Sequence, residues 1–232
     1  MFHWDATEVA RPKASGGRRM SASARVRGRV SEVESPAAPV AYDALTDAEV
    51  MLRAGTGDDA AFDFLVAKFT RPMVSFLYRF SGNQAVAEEL AQEVFLRVYR
   101  SRGRYSVEAK FTTWLYCIAT NLAMNHARDT RQEKLQSGGS LDEPDLETGE
   151  RIDPADGRLT VEQRLVRDER MAAIRRHVME LPERQRVAVL MHKYQEMDYR
   201  EIGKALRLSE SATKSLLFRA YETLRDRLKD FV

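Results

Sequence analysis

The sequence has only one cysteine, Cys117, so an intrachain disulfide bond is impossible. A single thiol in 232 residues is typical of proteins that work in the reducing cytoplasm, which is the location we predict. No apolar run approaches the roughly 20 residues that a membrane-spanning helix requires, so we expect no membrane insertion. The N-terminus also lacks the apolar core of a secretory signal.

Histidine and cysteine, which often bind metals or act in catalysis, are few as well. The histidines show no metal-ligand spacing, Cys117 has no evident partner, and there is no glycine-rich phosphate loop. The four histidines are His3, His126, His177 and His192. We therefore predict no catalytic residues, no metal, no cofactor and no enzymatic activity.

Sustained two-residue alternation of apolar and polar residues is absent, which argues against a sheet. Apolar residues recur instead at helical spacing, and the chain is long enough for two small domains. We predict an all-α protein of two small helical domains joined by a flexible acidic linker, with a helix-turn-helix in the C-terminal domain. The predicted boundaries are 1–41 for a disordered basic extension, 42–132 and 160–232 for the domains, and 133–159 for the linker.

Charge is unevenly distributed, although the net charge is only +2. Residues 97–132 contain seven basic and two acidic side chains, whereas residues 133–157 contain eight acidic and two basic ones. This pattern predicts a basic surface followed by an acidic tether. The extension over 1–41 has a composition typical of disorder. Alternatively it is a basic arm that touches nucleic acid, or Met20 is the true start.

Helix-starting signals divide the chain into helices. Residues 46–49 (TDAE) form a capping box before a short first helix, and Asp58 or Asp59 opens a second. Pro72 should kink or break this second helix, and Asn83 should cap the third. The further predicted helices span residues 84–101, 112–130, 161–180, 183–196, 199–206 and 210–229.

The predicted third helix has two distinct sides. Its apolar stripe, which should face the core, consists of Ala87, Leu90, Ala91, Val94 and Val98. The opposite side carries Glu89, Gln92, Glu93, Leu96 and Arg100. An apolar anchor within a polar rim is what a docking site for another helix needs. A single exposed leucine is also common without any function, and this alternative stays open.

The predicted fourth helix carries residue types suited to nucleic acid. Trp114, Asn121 and Arg128 recur every seven residues and Asn125 lies beside them. Tryptophan can stack on bases, asparagine can pair with a base edge, and arginine can hold phosphate. The preceding loop interleaves basic and aromatic residues, among them Tyr105, Lys110 and Phe111. The alternative is that Trp114 belongs to the core and that the asparagines are ordinary surface residues.

The C-terminal segment predicts a helix, a short turn and a longer helix, with Ser209 as the N-cap of the longer one. The exposed start of that last helix has small polar, basic and aromatic residues, as entry into the major groove requires. They are Ser211, Lys214, Ser215, Phe218 and Arg219. Any helical hairpin gives a similar pattern, so a merely solvated face is the alternative.

Three segments together resemble the extracytoplasmic-function (ECF) sigma factors. Residues 87–97 (AEELAQEVFLR) look like the segment with which that family docks on a coiled coil of RNA polymerase. Residues 111–116 (FTTWLY), with Asn121 and Asn125, look like the segment that melts and reads the minus-ten element. Residues 181–186 (LPERQR) and the helix pair after them look like the domain that reads the minus-thirty-five element.

The resemblance implies a function and a set of partners. It implies binding to core RNA polymerase through the outer side of the third helix, including Arg100, and binding to promoter DNA. Asn121 would help to hold a flipped base, and the Tyr105–Lys110 loop would form its pocket. A dedicated anti-sigma protein would mask both domains. The competing interpretation is a helix-turn-helix regulator that is not a polymerase subunit.

The sequence departs from the family pattern at three places. Residues 211–213 read Ser-Ala-Thr where the family often has Gly-Thr-Val, and Leu216 stands where an arginine is common. The pocket loop, residues 105–108, lacks the Arg-Gly pair of many relatives. We therefore expect one phosphate contact fewer and do not transfer the relatives' base preference.

Overall fold

A computed structural model of the chain describes residues 41–136 and 160–229. Within these two ranges the structure contains eight α-helices, two short 3₁₀-helices and no strand, which confirms the all-α prediction. The α-helices are α1 Asp47–Gly55, α2 Asp59–Ser81, α3 Gln84–Ser101, α4 Phe111–Gln136, α5 Val161–Met179, α6 Glu183–Tyr194, α7 Tyr199–Leu206 and α8 Glu210–Arg227. The 3₁₀-helices are Tyr42–Ala44 and Arg102–Arg104.

Side-chain caps start most of these helices. Thr46 and Glu49 form the capping box predicted for α1, and Asn83 accepts a hydrogen bond from the Val86 amide, as predicted for α3. Ser209 caps α8 in the same way. Asp198 and Glu201 form a further capping box at α7. Because these caps satisfy backbone amides that have no partner within the helix, they fix where each helix begins.

The second helix does not end at Pro72. Helix α2 runs from Asp59 to Ser81 with the proline inside it, so of the predicted kink or break the break does not occur. Proline in a helix interior costs about 3 kcal/mol. Phe69, Met73 and Phe76 are buried on both sides of it, and each such side chain contributes about 1.5–3 kcal/mol. The burial outweighs the lost backbone hydrogen bond.

The N-terminal half of the described chain is built around α2, α3 and α4. All five residues of the predicted apolar stripe on α3 are buried, together with Phe95. Helix α4 begins one residue earlier than predicted and extends past residue 130 to Gln136. Residues 131–136 (RQEKLQ) are all good helix formers, so the helix continues into the first residues of the predicted linker.

The C-terminal half contains the predicted helix-turn-helix. Helix α7 has the predicted bounds, and α8 begins at the predicted residue. The turn places Arg207 in the left-handed region, with φ of 54°. Gly203 lies against this turn, because a Cβ atom at residue 203 would stand 2.8 Å from the Leu208 carbonyl oxygen.

The two halves pack against each other. Helix α4 contacts α7, and α2 contacts α5 and α6. The domain boundaries remain a prediction, since residues 1–40 and 137–159, which hold most of the predicted extension and linker, lie outside the described residues.

Replacing Gly203 by alanine should destabilise the helix-turn-helix. The new methyl group must displace a backbone carbonyl, an overpacking that costs about 1–3 kcal/mol. Urea denaturation followed by circular dichroism measures the loss. Gly103→Ala is the matched control, because its methyl group would come no closer than 3.9 Å to a neighbouring atom. Equal stability of the two variants would contradict the close approach.

Candidate protein-docking and nucleic-acid interfaces

The outer side of α3 is open to solvent. Glu89, Gln92 and Arg100 are exposed, and Leu96 is 48% exposed. Glu93 is partly buried and forms an ion pair with Arg97, with 2.8 Å between Oε1 and Nε. Since the opposite side of the helix is buried, this polar surface with one leucine has no partner within the described part of the chain.

Tyr99 lies on this same side of α3 and was not among the predicted residues. Its ring is exposed, contacts Phe62 edge-on at 5.1 Å between centroids, and lies 3.6 Å from the Arg102 guanidinium carbon. Tyr99 follows Leu96 by three residues, so the two side chains are neighbours on the helix surface. This spacing was visible in the sequence, and Tyr99 extends the apolar part of the candidate docking surface.

Four of the predicted nucleic-acid residues lie along one side of α4. Asn125 and Arg128 are exposed, and Trp114 and Asn121 are partly exposed. The Arg128 guanidinium donates to the Asn125 side-chain oxygen at 3.3 Å and lies 3.6 Å from an Asp129 oxygen. The line is therefore accessible along its length.

The other aromatic residues of this set are buried. Phe111 is 2% exposed and contacts Phe69, and Tyr105 is 8% exposed and packs against Trp114 at 5.1 Å between centroids. Burial raises the pKa of the Tyr105 hydroxyl, which has no hydrogen-bond partner in the described structure. In this structure Tyr105 and Phe111 hold the loop onto the core and do not face solvent.

Lys110 lies in the same loop and forms an ion pair with a residue of another helix. Its side chain is 74% exposed, and its Nζ lies 3.0 Å from Oε1 of Glu201 on α7. The hydrogen bond to this carboxylate raises the pKa of Lys110. Because Glu201 lies 91 positions further along the chain, no local pattern in the sequence indicates this pair.

The five predicted residues at the start of α8 are all exposed, and Phe218 is the most prominent, with 66% of its surface accessible. Lys214 pairs with Glu210 at 2.8 Å, and Arg200 pairs with the other oxygen of Glu210 at 3.0 Å. These two cations lower the pKa of the Glu210 carboxyl. Glu210, which was not among the predicted residues, places a negative charge at the tip of the predicted recognition helix.

The departures from the family pattern are accommodated by packing. Thr213 is fully buried and donates its hydroxyl to the Ser209 carbonyl oxygen at 3.0 Å. Leu216 is partly buried and packs on the core beside Leu217. Helix α8 therefore keeps its buried side with these residues.

Two negative findings apply to residues 41–136 and 160–229. They contain no cluster of three or more histidine, cysteine or acidic residues able to hold a metal ion. Within the same ranges, every helix is too short or too polar to cross a bilayer.

Comparison with known proteins identifies both halves. Residues 65–133 match the family Sigma-70 region 2, and residues 171–224 match Sigma-70, region 4. The ECF RNA polymerase sigma factor SigW of Bacillus subtilis is 31% identical over 174 residues, which cover 75% of this chain and 92% of that protein. The chain belongs to the ECF sigma factors.

A second curated relative and two solved structures resemble this ECF sigma factor. RNA polymerase sigma-H factor of Pseudomonas aeruginosa is 28% identical over 178 residues, 77% of this chain and 91% of the relative. The sigma factor RpoE in complex with the anti-sigma factor NepR from Bartonella quintana has a TM-score of 0.58 and 19% identity, and covers 72% and 96% of the two chains. CnrH in complex with the cytosolic domain of CnrY has a TM-score of 0.57 and 18% identity, with 79% and 97% covered. Both structures share its fold.

The family regions contain the candidate surfaces of this ECF sigma factor. The outer side of α3 and the line along α4 lie within region 2, and the exposed start of α8 lies within region 4. The packing pair Tyr105 and Phe111 also lies in region 2.

Replacing Tyr105 by phenylalanine tests its role in packing. Its buried hydroxyl lacks a described partner, so removing that group should leave stability unchanged or raise it by up to about 1 kcal/mol. Thermal unfolding of the full chain measures this change, and a marked loss of stability would contradict it. Tyr105→Phe should also bind a single-stranded minus-ten oligonucleotide as wild type does, whereas weaker binding would give the hydroxyl a role in DNA recognition.

Proposed function

We propose that this ECF sigma factor binds core RNA polymerase and directs it to a class of promoters. The observation that carries the proposal is the exposed polar side of α3 around Leu96, within the region 2 match and opposite a fully buried stripe. A large apolar group in a polar rim is suited to docking on a helix of a larger protein. We assign this contact to Glu89, Gln92, Glu93, Leu96 and Arg100, and add Tyr99.

We propose that α4 reads the minus-ten element. Its accessible residues Trp114, Asn121, Asn125 and Arg128 offer stacking, base-edge hydrogen bonds and phosphate contacts on one side of a helix. Holding an extruded base costs a few kcal/mol of unstacking, which such contacts offset.

We propose that α8 reads the minus-thirty-five element through its exposed start. Lys214 and Arg219 supply positive charge, Ser211 and Ser215 supply hydroxyl groups, and Phe218 supplies an apolar surface. Two weak DNA-binding modules on one chain become selective through effective concentration, provided that the promoter spacing fits. The proposed domains are residues 42–132 for region 2 and 160–232 for region 4, joined by the linker over 133–159.

Further partners and the location follow from the family. We propose that the protein acts in the cytoplasm, with an anti-sigma protein as its regulator. The two structural relatives are both complexes, one of them described as a sigma factor with an anti-sigma factor, which supports this proposal. We propose no catalytic step for the chain itself. A helix-turn-helix regulator outside the polymerase would leave the region 2 match without a role.

The arginine variant Leu96→Arg should abolish co-purification with core RNA polymerase, because it places a charge at the centre of the apolar anchor. Leu135→Arg is the matched control, since Leu135 is also exposed but lies at the end of α4. Retained co-purification of the Leu96 variant would remove α3 from the interface.

Two alanine variants should affect different steps of initiation. Asn121→Ala should impair duplex opening and leave polymerase binding intact. The loss of favourable free energy should be about 1–3 kcal/mol, the range for one base-edge contact.

Arg219→Ala should weaken binding to the closed minus-thirty-five duplex. It should also reduce the slope of log binding constant against log salt concentration by about one unit. Permanganate footprinting and filter binding measure the two steps, and each variant is the control for the other. Equal effects of both variants on both steps would contradict the assignment.

A further inference from the structure

A closed series of side-chain contacts begins and ends on α8. The Nζ atom of Lys214 lies 5.5 Å from the centre of the Tyr199 ring, at the start of α7. The Tyr199 ring is stacked on the imidazole of His192 on α6, with 5.6 Å between centroids and 12° between planes. The Nδ1 atom of His192 lies 2.8 Å from the Tyr221 hydroxyl, which returns the series to α8.

His192 connects the two points at which this series meets α8. Lys214 and Tyr221 are seven residues apart, so they lie on the same side of the helix, about 10 Å apart along its axis. The His192 ring contacts both tyrosines, Tyr199 face to face and Tyr221 edge-on at 5.8 Å between centroids. The ring that meets Lys214 is therefore held in place through His192 by α8 itself.

The stacked rings lie outside the apolar core of the helix-turn-helix. That core contains Ile202, Ala205 and Leu217, all of which are buried. Tyr199 is 38% exposed, and His192 is only partly buried. The stack therefore lies between the core and the exposed start of α8, which is the surface that we assign to DNA.

Lys214 is also restrained by an acidic side chain. Its Nζ atom lies 2.8 Å from Oε1 of Glu210, one turn earlier on α8, and Arg200 pairs with the other oxygen of Glu210. An exposed ion pair alone restrains a lysine weakly, but a carboxylate and a ring together limit its rotamers further. Because a lysine loses rotamer entropy when DNA fixes it, a side chain that is already ordered binds at a lower entropic cost.

We propose that His192 is a positioning residue for recognition of the minus-thirty-five element. Through the Tyr199 ring it holds Lys214 beside Glu210, in the direction from which Lys214 meets the duplex. This inference rests on the proposed function of α8. In this role His192 acts on DNA binding only through Lys214, and Tyr199 acts through its ring and not through its hydroxyl.

The arrangement of Lys214 can be tested in the free full-length protein by nuclear magnetic resonance of its lysine side chains. The Tyr199 ring current should displace the ε-methylene signal of Lys214, which is assigned by its loss in Lys214→Arg. Tyr199→Leu should abolish this displacement, His192→Ala should reduce it, and Tyr199→Phe should preserve it. A displacement that His192→Ala leaves unchanged would overturn the positioning role.

Binding to DNA should show that His192 and Lys214 act together. The holoenzyme is reconstituted with core RNA polymerase, and the probe is a duplex that the wild-type holoenzyme selects from a random pool. Lys214→Ala should weaken closed-complex binding about tenfold, within the range for one side-chain contact to DNA. His192→Ala should weaken it about threefold, and should cause no further loss in the Lys214→Ala background. A merely structural role would give equal losses in both backgrounds, and that result would overturn the proposal.

Two conservative variants separate the contacts of His192. His192→Phe keeps a flat ring against Tyr199 and should restore most of the affinity. His192→Asn keeps a hydrogen-bonding group for Tyr221 but removes the ring, and should bind as weakly as His192→Ala. Rescue by asparagine and not by phenylalanine would overturn the role of the stack.

His177→Ala is the matched control, because His177 bonds to Glu180, which pairs with Arg227 at the opposite end of α8. This variant should bind the duplex as the wild type does, and so should Tyr199→Phe. Weaker binding by Tyr199→Phe would assign the tyrosine hydroxyl to DNA and contradict the proposal. Thermal unfolding must show that every variant compared is folded. A wild-type holoenzyme that selects no duplex would contradict the proposed function, whereas equal losses in the two backgrounds would contradict only the positioning role.

Discussion

The structure depends on the one-sided burial of its helices. Helix α3 illustrates this constraint, since Ala87 and Ala91 place small side chains where it packs, and Val94 and Val98 complete a stripe that is fully covered. A helix that buries one stripe must expose the opposite one. The orientation of Leu96 and Gln92 towards solvent therefore follows from core packing and needs no contact of its own. The same reasoning applies to α8, whose buried Leu217, Ala220 and Leu224 fix the outward direction of the residues proposed to contact DNA.

Local signals in the sequence predicted much of this architecture, because they act within one helix. The bounds of α3 and α7, the caps at Thr46 and Ser209, and the outer sides of α3 and α8 all depend on residues at most a few positions apart. Predictions were less accurate where the structure depends on contacts between residues that are distant in the sequence. Pro72 suggested a break because the free-energy cost of proline in a helix depends only on its own turn. The burial of side chains that offsets this cost depends on packing against other helices.

In the proposed nucleic-acid surfaces, too, contacts between residues distant in the sequence were not predicted. Tyr105 and Phe111 have the composition of a base-binding loop, but their rings pack against Phe69 and Trp114, which a linear pattern does not reveal. The partner of Lys110 was equally invisible, since Glu201 belongs to the other half of the chain. At the tip of α8, Glu210 forms an ion pair with Lys214, four residues later. This spacing is compatible with an ion pair, but the pair was not predicted from the sequence.

The burial of Cys117 has a consequence for how such a protein senses its surroundings. Burial raises the pKa of the Cys117 thiol to about 11, so the thiol stays protonated at neutral pH, and peroxides attack the ionised form. The chain's sole sulfhydryl is thus shielded from oxidants in this arrangement. Direct oxidation of Cys117 should therefore be slow for as long as α7 stays packed on α4.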